Sequence, residues 1–168
     1  MPDTDSPAGD FARFWQYANR VWNHPTARDR LLHWQDTFGV DVMLLLYALW
    51  FPALLAPGHW HQLQAEARAW QDSRTQRIRA LRRRLRTPER TSLYRAVLDL
   101  ELRCEHLEGQ LLHARARRLP HITAFPIDHR QRLDRLFPEV PKDERKALLE
   151  TLQDAANDAG PGTMDRTP

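Results

Sequence analysis

An unbroken hydrophobic stretch runs from Val42 to Phe51 and carries no polar side chain apart from Tyr47. Because the stretch has no polar interruptions, its hydrophobic pattern alone fits either a buried strand or a buried helix. Leucine, methionine and alanine outnumber β-branched residues, which favours a helix. Asp41 stands where it can cap the first turn, and Pro52 ends the helix near its last residue. A helix that is apolar all round must be covered on every side, so this stretch is predicted to be the buried centre of the fold.

Two amphipathic helices are predicted before this stretch. The first has Asp10 as its cap and a hydrophobic face with helical spacing, formed by Phe11, Phe14, Trp15, Ala18 and Trp22. The second begins with Thr26 as its cap and ends at Gly39, the residue type favoured just past a helix C-terminus. Its apolar side is supplied by Leu31, Leu32, Trp34 and Phe38. These two helices and the fourth are expected to surround the central helix.

A long antiparallel helical hairpin is predicted over residues 59–118. Its first helix has no proline or glycine from His59 to Arg86, and Thr87 with Pro88 then makes the turn. The inward side of that helix is expected at Leu63, Ala67, Trp70, Ile78, Leu81 and Leu85, with Arg74 as an interruption. The second helix shows a heptad pattern at Leu93, Val97, Leu100, Cys104, Leu107, Leu111 and Ala114.

The pattern as a whole predicts an all-α, single-domain helical bundle over residues 11–157. After the hairpin comes a proline-punctuated segment, 120–141, and then a C-terminal helix, 142–157. Residues 1–10 and 158–168 are predicted to be flexible. The length of 168 residues fits one domain with a substantial core.

Composition indicates a soluble, cytoplasmic protein. The chain is 42% hydrophobic and 28% charged, and no stretch approaches the roughly 20 apolar residues of a membrane span. The N-terminus has acids where a signal peptide needs a basic flank. Cys104 is the only cysteine, which excludes an internal disulfide and a thiolate metal cage.

Arginine is the dominant base: of 25 basic residues only Lys142 and Lys146 are lysine, which leaves 23 arginines. Four of them follow helical i, i+3, i+4, i+7 spacing and form a candidate binding surface, namely Arg79, Arg82, Arg83 and Arg86. Guanidinium groups suit carboxylates and phosphates equally. The alternative is that acids of the next helix neutralise the stripe across the hairpin, from Asp99, Glu101, Glu105 and Glu108.

A motif surrounds the start of the central helix and consists of Gln35, Asp36, Gly39, Asp41, Leu44, Leu45 and Trp50. It resembles the motif of a proteobacterial family of small helical proteins of unknown function. The family pattern is Gln-Asp, a glycine, then Asp-Val-Asn-Leu-Leu-Leu with a tryptophan one turn on, followed by an arginine-rich Leu-Arg segment that 79–86 matches. Met43 stands where the family usually has asparagine. The resemblance covers about the first hundred residues and implies a family but no activity.

No catalytic, cofactor or metal site is predicted. The serines lack the glycines of a nucleophile elbow, and the glycines form no phosphate loop. The eight histidines are not spaced to share an ion, and most of them are expected at the surface or at helix ends. Asp36 and Asp41 are the best polar candidates, with helix capping the favoured role for Asp41. We therefore expect a non-enzymatic protein.

Three functional hypotheses remain open. The first is a regulatory protein that binds a protein partner through arginine and tryptophan side chains, which often anchor interfaces. Trp34 and Trp50 are expected in the core, and Trp15, Trp22 or Trp60 at the interface. The second is nucleic-acid binding along the arginine stripe. The third is a bundle that binds a small molecule or lipid in a cavity beside Asp41 and Met43. The sequence leaves the oligomeric state open.

Overall fold

The computed structural model of the protein describes residues 7–123 and 126–158 and confirms the all-α fold. The helices are α1 Pro7–Asn23, α2 Pro25–Phe38, α3 Val42–Trp50, α4 Pro57–Trp70, α5 Gln76–Arg84, α6 Thr91–Ala116, α7 His129–Leu136 and α8 Lys142–Asp158. A π-helical turn, Gln71–Thr75, joins α4 to α5, and a 3-10 turn, Pro88–Arg90, precedes α6. Strands β1 Ala53–Leu55 and β2 His121–Thr123 form an antiparallel pair that the sequence pattern did not predict.

The boundaries of the predicted flexible ends differ from the structure. Helix α1 already begins at Pro7, so Asp10 lies in its first turn rather than at its cap. Residues 1–6 and 159–168 lie outside the described residues. Within the described ranges no helix is both long and apolar enough to cross a membrane.

Local side-chain chemistry sets the ends of α2 and α3. The main-chain N–H of Leu44 donates to Asp41 Oδ1 at 3.1 Å, which confirms the predicted cap. Gly39 adopts the left-handed conformation with φ of 66° and closes α2. The start of α2 differs from the prediction, because Pro25 occupies its first position and His24, not Thr26, is the capping residue.

Helix α3 is buried from Met43 to Leu49, as predicted, but its surroundings are wider than expected. It packs against α1, α2 and α4, and also against α6 and α7. Gly109 permits the close approach of α6: a Cβ atom there would lie 3.2 Å from both Met43 Sδ and the Phe14 ring. The second helix of the hairpin is therefore part of the central core.

The predicted heptad face of α6 is only partly buried, which corrects the expected hairpin packing. Val97 and Cys104 are buried, whereas Leu93, Leu100 and Leu107 are 53%, 47% and 49% exposed. Glu101 and Glu108 are buried in their place. Arginines of α5 neutralise Glu101, and a neighbouring carboxyl group pairs with Glu108, so polar residues occupy core positions that the pattern assigns to leucine.

Buried Arg132 on α7 joins the end of α3 to the small sheet. Its guanidinium donates to the carbonyl oxygens of Ala48 at 2.7 Å, Phe51 at 2.8 Å and Ala53 at 2.7 Å. It also lies 5.1 Å from the ring centre of Trp60, which is buried. These bonds satisfy carbonyls that the break at Pro52 leaves without helical partners.

Candidate functional site

A groove with a volume of about 380 Å³ opens among α1, α2, α3, α5 and α6. Its hydrophobic lining includes Trp15, Trp22, Val42, Met43, Leu46 and Leu102. All four arginines of the predicted surface line the same groove, together with Gln35, Asp36, Glu101 and Glu105. We call this cavity the arginine groove. Its volume lies in the range of ligand pockets, about 300–1,000 Å³.

The structure divides the four arginines into two pairs. Arg79 and Arg82 lie against α6, where Arg79 Nε donates to Glu101 Oε1 at 3.0 Å and Arg79 Nη2 to Glu105 Oε1 at 3.3 Å. Arg82 Nε donates to the second oxygen of Glu101. Arg83 and Arg86 are exposed and have no ion-pair partner among the described residues. The acids of α6 thus neutralise one half of the stripe, and the other half keeps its charge.

The ion pairs fix the protonation state of Glu101. Burial by itself raises the pKa of this carboxyl group, but hydrogen bonds from Arg82 and Arg79 outweigh it and hold the pKa below its ordinary value. The Glu101 hydrogen bond also raises the pKa of Arg82. Both groups therefore stay charged, and an ion-pair network joins α5 to α6 at the wall of the groove.

Two of the seven motif residues, Gln35 and Asp36, meet the arginines in this groove. With its amide oxygen turned towards Arg79, Gln35 accepts hydrogen bonds from both Nη atoms at 3.2 Å. Asp36 lies at the edge, exposed. The remaining motif residues lie elsewhere: Gly39, Asp41 and Leu44 line a second cavity, while Leu45 and Trp50 belong to the central packing.

The second cavity, which we call the polar pocket, has a volume of about 200 Å³ and shares Gln35, Gln71 and Arg79 with the arginine groove. Asp41 lines it. Next to Asp41 lies Glu108, whose side chain is fully buried and accepts a hydrogen bond at 2.7 Å from Gln71.

Glu108 and Asp41 form a carboxyl pair that holds a proton. Burial raises the pKa of Glu108 far above its ordinary value, and the charge of Asp41 and a hydrogen bond to it raise this pKa further. The oxygens Asp41 Oδ2 and Glu108 Oε1 have no other partner in the described structure. A protonated Glu108 that donates to Asp41 satisfies both atoms. The sequence pattern assigns Glu108 only to neutralising arginine, so it misses this role.

A match with a known protein family decides where the chain belongs. Residues 13–112 match the family described as Protein of unknown function (DUF2390), which is more than half of the chain. The chain belongs to the DUF2390 family. It has no match among curated proteins or among solved structures.

The region that matches DUF2390 contains both cavities' central residues. It extends from α1 into α6 and includes Trp15, the four arginines, Asp41 and Glu108. It leaves out α7 with its buried Arg132, and α8. The DUF2390 match therefore coincides with the part of the bundle that builds the arginine groove and the carboxyl pair.

The aromatic residues of this DUF2390 protein divide between core and groove. Trp34 is fully buried, as expected, and Trp50 is half-buried against Phe14. Trp22, at 36% exposure, and half-buried Trp15 line the groove, whereas Trp60 is buried beneath Arg132 and offers no surface.

Two histidines of α6 differ in how deeply they are buried. His113 is buried in α6, and its Nδ1 lies 3.2 Å from the Tyr47 hydroxyl. His106, by contrast, is half-buried with its ring edge-on to Trp15 at 4.4 Å. In the part of the chain that the structure describes, no three His, Cys, Asp or Glu side chains converge as a metal site would require.

Proposed function

We propose that this DUF2390 protein is a non-enzymatic, cytoplasmic bacterial protein that binds an acidic segment of a protein partner in the arginine groove. The observation that carries the proposal is that one groove combines a hydrophobic lining with two unpaired arginines. Apolar side chains of the segment would occupy the lining, and its carboxylates would pair with Arg83 and Arg86. The chemistry of the groove thus fits an amphipathic acidic peptide.

The hydrophobic lining supports a peptide ligand because it offers apolar surface for contact in addition to the charged groups. Trp15 and Trp22 face the cavity from α1, and Val42, Met43 and Leu46 from α3. Tryptophan and arginine are the residue types most often found as interface hot spots. Burial of a leucine-sized side chain here contributes about 1.5–3 kcal/mol, so a few apolar contacts would dominate the affinity.

The charges favour carboxylates over a continuous phosphate backbone. Glu101, Glu105 and Asp36 line the same groove as the arginines, and the first two already pair with Arg79 and Arg82. A phosphate chain that followed all four arginines would have to approach these acids. A peptide needs only the two exterior guanidinium groups, which can bind carboxylates in bidentate geometry.

In this proposal, a residue of the motif that resembles the proteobacterial family holds the arginine side of the groove in place. Gln35 holds Arg79 through its amide oxygen, and Arg79 in turn holds Glu101 and Glu105. This chain of contacts orients α5 against α6, so that Arg83 and Arg86 face the opening. Pre-organised side chains lose less conformational entropy on binding, which strengthens an interface.

The test is selection from a random peptide library displayed on phage, followed by titration of the selected peptides. We expect enrichment of Asp or Glu next to Leu, Phe or Trp. Reversal of both free arginines, Arg83→Glu with Arg86→Glu, should weaken binding about tenfold or more. The matched control is Arg77→Glu with Arg84→Glu, because these arginines are exposed on the same helix and do not line the groove.

The same variants separate the competing functions. Nucleic-acid binding would respond about equally to both double reversals, since non-specific phosphate contacts depend on the total charge. Binding of a small molecule in the polar pocket would respond to neither pair. Selected peptides without acidic residues, or equal losses in both double variants, would overturn the proposal.

A further inference from the structure

Among the residues that the structure describes, nothing covers the leucine row of α6. Leu93, Leu100 and Leu107 repeat every seven residues and are each about half exposed. Leu100 stands two residues from both Leu98 and Leu102, which line the arginine groove. Two residues are about 200° of helical rotation, so the row lies on the side of α6 away from the groove.

A fourth exposed leucine lies on the neighbouring helix of the hairpin. Leu81 on α5 is 46% exposed and stands two residues from both Arg79 and Arg83. It therefore faces away from the groove, as the α6 row does. Heptad spacing is the pattern by which one helix packs along another, and within the described structure no helix covers this row.

We infer that a second copy of this chain covers the row, with the two α6 helices antiparallel and a two-fold axis at Leu100. The spacing of the row is symmetric about that residue, because Leu93 and Leu107 each stand seven positions away. A two-fold axis there places Leu93 of one protomer against Leu107 of its partner on both sides. The surface is thus self-complementary, as an isologous interface requires.

The charges beside the row select the antiparallel arrangement. Asp99 and Arg103 flank Leu100 on the same edge of the row, and neither has an ion-pair partner among the described residues. In the antiparallel dimer these edges adjoin, and Asp99 of one protomer lies about 3 Å along the axis from Arg103 of its partner, at the ordinary rise per residue. In a parallel dimer the two-fold axis would put these edges on opposite sides of the contact. The opposite charges therefore meet in one arrangement only.

Cysteine cross-linking tests both the dimer and its direction. In full-length protein under mild oxidation, Leu100→Cys should form a covalent dimer alone, since its two copies meet at the axis. Leu93→Cys and Leu107→Cys should cross-link when mixed, but Leu93→Cys should not cross-link with itself. Wild-type protein is the control, because its single thiol at Cys104 is buried.

Charge exchange, read by sedimentation equilibrium, gives an independent test. Asp99→Arg and Arg103→Asp should each weaken dimerisation about tenfold, and the double exchange should recover most of the loss. Thermal unfolding followed by circular dichroism checks that each variant folds. A wild-type protein that stays monomeric at tens of micromolar, self-cross-linking of Leu93→Cys, or a double exchange no better than the single ones would overturn the inference.

Discussion

Replacement of Glu108 by glutamine removes a buried titration without removing its hydrogen bonds. The introduced amide nitrogen would donate to Asp41 Oδ2, as the protonated carboxyl group does. The introduced amide oxygen would accept from Gln71, whose Nε2 lies 2.7 Å from Glu108 Oε2 in the wild-type protein. The two side chains have nearly the same volume, so the surrounding packing is kept. The substitution therefore isolates the free energy of holding the proton.

The magnitude follows from the direction of the pKa shift. Burial, reinforced by Asp41, raises the pKa of Glu108 in the folded protein, while in the unfolded chain it returns to about 4.5. Below that pH both states bind the proton, and the group does not oppose folding. Above it the unfolded chain loses the proton and the folded protein keeps it, so stability falls as pH rises. The slope is about 1.4 kcal/mol per pH unit, or roughly 4 kcal/mol between pH 5 and 8.

The assay is urea unfolding of wild type and Glu108→Gln at pH 5, 6, 7 and 8. The variant should gain stability over wild type steadily as pH rises, and the two should lie closest at pH 5. Glu89→Gln, which changes an exposed carboxylate on the 3-10 turn, is the matched control and should show no such trend. A stability difference that stays constant from pH 5 to 8 would refute the protonated carboxyl pair.

Three other substitutions test the packing and charges around the site. Arg132→Met leaves three buried main-chain carbonyls without their donor and should cost about 3–5 kcal/mol in urea unfolding; a loss under about 1 kcal/mol would contradict its bridging role. Gly109→Ala forces a methyl group to 3.2 Å from two side chains and should lower the melting temperature, whereas Gly58→Ala, with open space, should not. Glu101→Gln should cost about 3 kcal/mol at pH 7, because buried ion pairs with two arginines are lost. Since the pKa of Glu101 is lowered, that stabilisation is present above its unfolded pKa and disappears as pH falls through its folded pKa; an unchanged penalty in strong acid would be inconsistent with this.

The sequence predicts the parts of the fold that depend on local chemistry. Gly39 closes α2 because it can adopt a positive φ, Asp41 caps α3 with its carboxylate, and Pro52 stops α3 from continuing. Each of these effects acts within about one helical turn. The burial of α3 is also predictable, because no exposed helix carries so continuous a hydrophobic stretch.

Features that depend on distant partners were not predictable in the same way. Glu101 and Glu108 occupy buried positions because of Arg82 and Asp41, which come from distant parts of the chain. A prediction from hydrophobic spacing treats glutamate as exposed, and it therefore assigns the leucine row of α6 to the core. Arg132 likewise bonds to carbonyls about eighty positions away in the chain. The spacing of polar and apolar residues along the chain does not indicate which distant residues will pair.

The π-helical turn explains how the motif and the arginines come together. A regular helix from α4 would place positions 74, 78 and 81 inward, but the turn adds a residue and the inward positions become Thr75, Arg79 and Arg82. This single shift brings Arg79 to Gln35 and Glu101, while Gln71, the first residue of the turn, contacts Glu108. Gln71 and Arg79 are also residues shared by both cavities. π-helical turns are rare and, when they do occur, are frequent at functional sites. The extra residue is therefore best explained by the contacts of Arg79 with Gln35 and Glu101, which it makes possible.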